Sequence, residues 1–224
     1  MKFSSRVDRL KGEATEAWEI HFAASAARRR GEDVIALTIG DPDFATPAPF
    51  VDAAVTALRG GDTHYSDIAG RPALRSAIAR RFAARSGVPT KPENVIVTAG
   101  AQNALFATAQ VLGDSGVDFV VLEPRYVTYD ALIGASGARM ILAPQPAASG
   151  FHIDIDALGR AITQSTRAIF FATPNNPTGV VATPEALSAV AALARRHDLW
   201  VVVDEVYADL TFDGRRPHAT RGVS

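Results

Sequence analysis

The stretch AIFFATPNNPTGVVATPEALSAVAALARRHDLWVVVDEVY occupies residues 168–207. Apolar runs at 168–172 and 199–203 flank a segment in which Thr183 and Pro184 mark the start of an amphipathic helix. Strands that are apolar throughout and alternate with such helices are typical of a parallel sheet buried on both faces. This stretch therefore predicts an α/β fold with a mainly parallel sheet and helices on both of its faces.

The same alternation extends toward the N-terminus. The strands predicted there are VIALTIG (34–40), NVIVT (94–98), VDFVVL (117–122) and ARMIL (138–142). A helix is predicted at 5–30, where a following glycine and three arginines favour a C-terminus. Ligands of such sheets bind beyond the carboxyl ends of the strands, so the residues that follow each strand are the candidates for function.

The composition excludes several functions. The chain has 23 Lys and Arg against 24 Asp and Glu, and a net charge of −1 leaves no basic excess to drive nucleic-acid binding. It has no cysteine, and its five histidines lack metal-ligand spacing. No apolar run approaches about 18 residues, and the first residues are polar. We therefore predict a soluble, cytoplasmic protein with no metal site and no membrane or nucleic-acid partner.

Small and polar residues follow four of the predicted strands. Gly100 to Gln102 lead into a helix whose free N–H groups suit a phosphate, although a plain tight turn has the same composition. The ring of Tyr126 either lies flat on the ring of a ligand or packs, partly buried, against other side chains of the protein. Asn176 stands in a loop with two prolines. Asp204 follows five apolar residues, and a buried carboxylate there either caps the next turn or faces a cationic ligand atom.

Six stretches, taken in order, resemble the class I/II aminotransferases, which are pyridoxal-phosphate (PLP) enzymes of fold type I. They are IGDPDFATP (39–47), HYSDIAGRPALR (64–75), TAGAQNAL (98–105), EPRYVTYD (123–130), TPNNPTG (173–179) and VVVDEVYADLTFDG (201–214). Within this family, AWEIH (17–21) and GDPDFATPAP (40–49) are most similar to the bacterial arginine–pyruvate transaminase branch. The resemblance implies transfer of an amino group from an L-amino acid to a 2-oxo acid with PLP as cofactor.

The resemblance also implies eight cofactor-binding residues, which are Gly100, Ala101, Gln102, Tyr126, Asn176, Asp204, Tyr207 and Tyr65. The first three match the phosphate-binding turn, and the next four match residues that contact the cofactor ring. Tyr65 matches a residue that reaches the phosphate of a neighbouring subunit, which implies a homodimer. Gly40 matches a backbone contact to the substrate carboxylate.

The resemblance further divides the chain. Residues 1–48 are expected to form a helix and a strand of the small domain or dimer arm, and 49–224 an incomplete PLP-binding large domain. The resemblance implies that the family's Schiff-base lysine lies well downstream of the DEVY segment (204–207), beyond Ser224, and the chain's three lysines, Lys2, Lys11 and Lys91, all come before that segment. The chain therefore looks like an N-terminal portion that is inactive alone. Two alternatives are a non-catalytic PLP-binding remnant and another fold-type I enzyme, such as a carbon–sulfur lyase.

Overall fold

A computed structural model describes residues 2–10 and 14–212 of the chain. The strands in these residues are β1 (Asp118–Glu123), β2 (Arg139–Pro144), β3 (Thr166–Ala172) and β4 (Trp200–Asp204). The helices are α1 (Arg6–Arg9), α2 (Ala14–Arg29), α3 (Ala48–Arg59), α4 (Pro72–Ser86), α5 (Ala101–Leu112), α6 (Tyr129–Ser136), α7 (Ile155–Ala161) and α8 (Pro184–Arg196). Short 3₁₀ helices lie at Pro92–Asn94 and Ala147–Ser149.

The four strands form one parallel sheet in the spatial order β2-β1-β3-β4. One α-helix lies in each connection between successive strands, as a parallel crossover requires. The chain places β2 on one side of β1 and β3 on the other. A crevice at the carboxyl ends of β1 and β3 results from this change of direction, and such crevices hold ligands in open α/β sheets.

Both faces of the sheet are covered, which confirms the predicted α/β class. On one face, Phe119 of β1 and Phe170 of β3 stack at 5.0 Å between ring centroids and pack against α5 and α6. On the other face, Val120 and Ile169 pack against Leu187 and other apolar residues of α7 and α8. Because successive strand residues point to opposite faces, a run that is apolar throughout fills both layers.

Two of the predicted strands are wrong. Residues 34–40 have no strand partner in the described part of the chain, and Ile35 and Leu37 are exposed. NVIVT begins in the 3₁₀ helix at Pro92–Asn94, and its residue Val97 donates a single backbone hydrogen bond to Ala69 O at 2.9 Å. Apolar alternation predicts a strand, but a strand forms only where a neighbour supplies a hydrogen-bonded ladder. The helix predicted at 5–30 is α1 and α2, and 11–13 lie outside the described residues.

An ion pair between buried Asp118 and exposed Arg139 lies at the amino-terminal ends of the strands. Asp118, the first residue of β1, is 2% exposed and accepts two hydrogen bonds from the Arg139 guanidinium, each at 2.9 Å. The Thr163 hydroxyl donates to Asp118 Oδ2 at 2.8 Å. The Arg139 hydrogen bonds, aided by that of Thr163, hold the pKa of the Asp118 carboxyl below its ordinary value. This carboxylate joins β1, β2 and the segment before β3.

The described residues contain no helix that is both long and apolar enough to cross a membrane.

Candidate functional site

A cavity of about 380 Å³ lies where α5 begins beside the carboxyl ends of β3 and β4. It is lined by Ala99, Gly100, Ala101, Gln102, Leu105, Tyr126, Ala172, Asn176, Asp204, Val206 and Tyr207. Seven of the eight predicted cofactor-binding residues are therefore brought together, from four separate segments of the chain. Their roles as cofactor ligands remain predictions.

The turn before α5 forms one end of the cavity. Gly100 is the N-cap of this 12-residue helix and has φ 84° and ψ 169°, a conformation that side-chain-bearing residues rarely adopt. The Thr98 hydroxyl donates to Gly100 O at 2.9 Å and holds the turn. The first N–H groups of a helix have no partner within the helix, so those after Gly100 are available to an anion.

Asp204 supplies the negative charge of the cavity. It is the last residue of β4 and is 9% exposed. Val206 N donates to Asp204 Oδ1 at 3.1 Å, and the Tyr129 hydroxyl donates to Asp204 Oδ2 at 3.0 Å. No described Lys or Arg forms an ion pair with this carboxylate within 4.0 Å. Because Asp204 lines the cavity, its carboxylate is next to any molecule that binds there.

Tyr129 contacts the site but is not among the residues that the sequence predicts for it. It is the first residue of α6 and is 1% exposed. Burial, with Asp204 beside it, raises the pKa of the Tyr129 hydroxyl well above its ordinary value. The signal available in the sequence was its spacing of three residues from Tyr126 in EPRYVTYD, but that spacing is equally typical of a packed helix face.

Aromatic and amide groups form the remaining walls. The Tyr126 ring meets the Tyr129 ring nearly at right angles, with centroids 6.0 Å apart. Burial raises the pKa of Tyr126, and the nearby Tyr207 and Asp204 add to this. Asn176 Nδ2 donates to the Tyr207 hydroxyl at 3.3 Å, which joins two of the predicted ring contacts.

Internal hydrogen bonds hold the TPNNPTG loop against the segment that carries Tyr126. Asn175 Oδ1 accepts hydrogen bonds from the backbone and the hydroxyl of Thr178, at 3.1 and 2.9 Å. Asn175 Nδ2 donates to Pro124 O at 3.2 Å, across to the neighbouring strand end. The Glu123–Pro124, Thr173–Pro174 and Asn176–Pro177 peptide bonds are cis. The hydrogen bonds of Asn175 therefore hold the loop that carries Asn176 against the segment that carries Tyr126.

Two predicted residues do not line this cavity. Tyr65 is fully exposed, and Gly40 is also exposed. Neither residue is among those that line the cavity, and the assignments of Tyr65 to a partner's phosphate and Gly40 to the substrate remain predictions. The described residues contain no cluster of three or more His, Cys, Asp or Glu side chains arranged to hold a metal ion.

The cavity offers an anion-binding turn, an aromatic ring, a paired amide and phenol, and a carboxylate. These groups fit the phosphate, the flat ring, the 3′-oxygen and the ring nitrogen of PLP respectively. The fit rests on the positive φ of Gly100 and on the buried carboxylate of Asp204. A pocket beyond the carboxyl ends of parallel strands is where open α/β sheets hold small ligands.

The chain belongs to the aminotransferase class I and II family, whose model matches residues 32–223. It is 44% identical over 214 residues to the arginine–pyruvate transaminase of Pseudomonas aeruginosa, covering 96% of this chain and 54% of that one. It is 40% identical over 211 residues to the aspartate/prephenate aminotransferase of Thermus thermophilus, covering 94% and 54%. The chain thus spans about half the length of the curated relatives it matches.

Solved structures agree with this assignment. The aspartate aminotransferase from Thermus thermophilus with maleate superposes with a TM-score of 0.94 at 38% identity, over all of this chain and 58% of that one. The aspartate aminotransferase from Rhizobium meliloti gives a TM-score of 0.93 at 28% identity, over 100% and 56%. The predicted family and fold type are confirmed, and enzymes of this family depend on PLP.

Proposed function

We propose that the protein is an aminotransferase that moves an amino group from an L-amino acid to a 2-oxo acid, with PLP in the cavity beside Asp204. The observation that carries the proposal is the meeting of the Gly100 turn, Tyr126 and Asp204 around one cavity. Family membership supports the reaction class.

Each residue would contribute by holding or orienting one part of the cofactor. The N–H groups of Ala101 and Gln102 would hold the phosphate, and Asn176 and Tyr207 the 3′-oxygen. Tyr126 would cover one face of the ring and exclude water from it. When bound, PLP supplies an electron sink that is strongest with its ring nitrogen protonated.

Asp204 would keep the proton on that nitrogen. A unit charge about 4 Å away contributes roughly 4 kcal/mol at an effective dielectric constant of about 20, or about three pKa units. Because Asp204 is buried and has no basic partner among the described ion pairs, its charge is available for this purpose.

The substrates, the oligomeric state and the location of the protein form the finer part of the proposal. Identity of 44% to the arginine–pyruvate transaminase favours arginine as donor and pyruvate as acceptor. The full exposure of Tyr65 and Ile68 favours a homodimer in which a second copy covers them. The balanced charge and absence of cysteine favour a cytoplasmic location.

The lysine that would bind the cofactor covalently is proposed to come from outside residues 1–224. Lys2 and Lys91 are exposed and do not line the cavity, and Lys11 lies outside the described residues.

The test uses the purified product of the complete reading frame, with PLP and a panel of L-amino acids that includes arginine. Expected results are saturable PLP binding in equilibrium dialysis and formation of alanine from pyruvate with release of the donor's keto acid. Release of ammonia or a thiol without alanine would instead indicate a lyase. Binding without turnover of any donor would indicate a non-catalytic PLP protein.

A further inference from the structure

We propose that Tyr129 is a positioning residue for the cofactor site, fixing the Asp204 carboxylate with its hydroxyl and the Tyr126 ring with its own ring. The inference rests on the proposed function, since it gives Tyr129 a part in the same pocket. Tyr129 does not line the cavity, so it would act on the cofactor only through these two residues.

The hydroxyl contact restrains the carboxylate. Tyr129 donates to Asp204 Oδ2 at 3.0 Å while Val206 N donates to Oδ1 at 3.1 Å, so each oxygen has its own donor. Donors to both oxygens fix the plane of a carboxylate, whereas a single donor leaves the group able to rotate about its Cβ–Cγ bond. Hydrogen bonds to an ionised acceptor are also stronger than neutral ones.

The ring contact restrains the aromatic wall. The Tyr126 and Tyr129 rings cross at 84° with centroids 6.0 Å apart, which is the edge-to-face arrangement that aromatic pairs favour. Tyr129 is 1% exposed, and its ring belongs to the core cluster formed by β1, β3, α5 and α6. The Tyr129 side chain therefore connects the buried core to both Asp204 and Tyr126, which are the charged and the aromatic walls of the cavity.

The donor role of Tyr129 is fixed by its surroundings. Burial and the adjacent Asp204 raise the pKa of the hydroxyl, so it stays protonated at neutral pH. The hydroxyl thus donates to the carboxylate and does not compete with it as a second anion.

Tyr129→Phe tests the hydroxyl alone, because phenylalanine keeps the ring that contacts Tyr126. In the product of the complete reading frame, we expect PLP to bind about tenfold more weakly, as for the loss of a hydrogen bond to a charged group. With PLP labelled with ¹⁵N in the ring, we expect the nitrogen resonance to move toward that of the unprotonated ring. Loss of general stability alone would not change that resonance.

Thr163→Val is the matched control. It removes a hydroxyl that donates to another buried carboxylate, Asp118, at the opposite edge of the sheet. This variant should be less stable toward urea but should keep the PLP affinity and the ¹⁵N resonance of the unaltered protein.

The outcomes separate the two proposals. Absence of PLP binding by the unaltered protein, or no effect of Asp204→Asn, would overturn the proposed function and this inference with it. If PLP binds and Asp204→Asn weakens it, a Tyr129→Phe variant with unchanged affinity and resonance overturns the inference alone.

A second measurement applies if Tyr129→Phe does not fold. Incorporation of 3-fluorotyrosine at position 129 keeps both ring and hydroxyl, and its ¹⁹F resonance should differ between the unaltered and Asp204→Asn proteins. An identical resonance in the two would refute the contact on which the inference depends.

Discussion

Asp204→Asn removes one negative charge from the cavity and preserves the size of the side chain. The asparagine oxygen is able to accept from Val206 N, and its amide group is able to pair with the Tyr129 hydroxyl, as the carboxylate does at 3.1 and 3.0 Å. Because both hydrogen bonds have replacements, we expect the free energy of unfolding of the cofactor-free protein to change by less than about 1 kcal/mol.

The effect on cofactor binding should be much larger. A full charge interaction at about 4 Å is worth roughly 4 kcal/mol at an effective dielectric constant of about 20, which is close to a thousandfold in affinity. The asparagine oxygen still accepts a hydrogen bond and recovers part of this. We therefore expect PLP to bind about 10²- to 10³-fold more weakly to the Asp204→Asn protein.

Equilibrium dialysis and urea unfolding measure the two quantities separately. Asp118→Asn is the control, since it makes the same change at the carboxylate that Arg139 pairs with at the other edge of the sheet. We expect this control to lose about 1–3 kcal/mol of stability and none of its PLP affinity. An Asp204→Asn protein that binds PLP within threefold of the unaltered protein would refute the assignment of Asp204.

Three further predictions concern the surroundings of the site. Gly100→Ala places a side chain at φ 84°, which should cost about 1–3 kcal/mol of backbone strain. This variant should lose more affinity for PLP than for pyridoxal, which lacks the phosphate. Equal losses of affinity for the two compounds would contradict the phosphate-binding role of the turn. Because the pKa of Asp118 is lowered in the folded state, its contribution to stability is present above about pH 4 and is lost as pH falls through the lowered pKa. Urea unfolding should therefore show the difference between Asp118→Asn and the unaltered protein shrinking below about pH 4, and a constant difference would contradict this. Arg125→Met removes ion pairs to Glu123 at 2.9 Å and to Asp130 at 2.7 Å. We expect the free energy of unfolding in urea to fall by about 3 kcal/mol. A fall below about 0.5 kcal/mol would show that these ion pairs stabilise the fold little.

Local signals explain what the sequence predicted correctly. The helix Ala101–Leu112 begins directly after Gly100, as the sequence predicts, and it ends before a second glycine, Gly113. Asp204 ends β4, where a polar residue after an apolar run marks the strand end. Helix caps, glycine turns and apolar runs depend on neighbours in sequence, so they are readable without a structure.

The features that the sequence did not predict depend on distant contacts. Residues 34–40 and 94–98 carry strand patterns but have no ladder partner in the described residues, and no local pattern reports whether a partner exists. The contact of Tyr129 with Asp204 spans 75 residues of chain. A tyrosine on a helix face is usually a packing residue, so only the juxtaposition of α6 with the end of β4 distinguishes this one.

We expect the cavity beside Asp204 to hold PLP with its ring nitrogen toward that carboxylate. A crystal structure of the product of the complete reading frame, grown with PLP, measures this directly. We expect the ring nitrogen within about 3 Å of an Asp204 oxygen and the phosphate on the N–H groups that follow Gly100. PLP bound outside this cavity, or bound inside it with the ring nitrogen turned away from Asp204, would contradict the proposed role of Asp204.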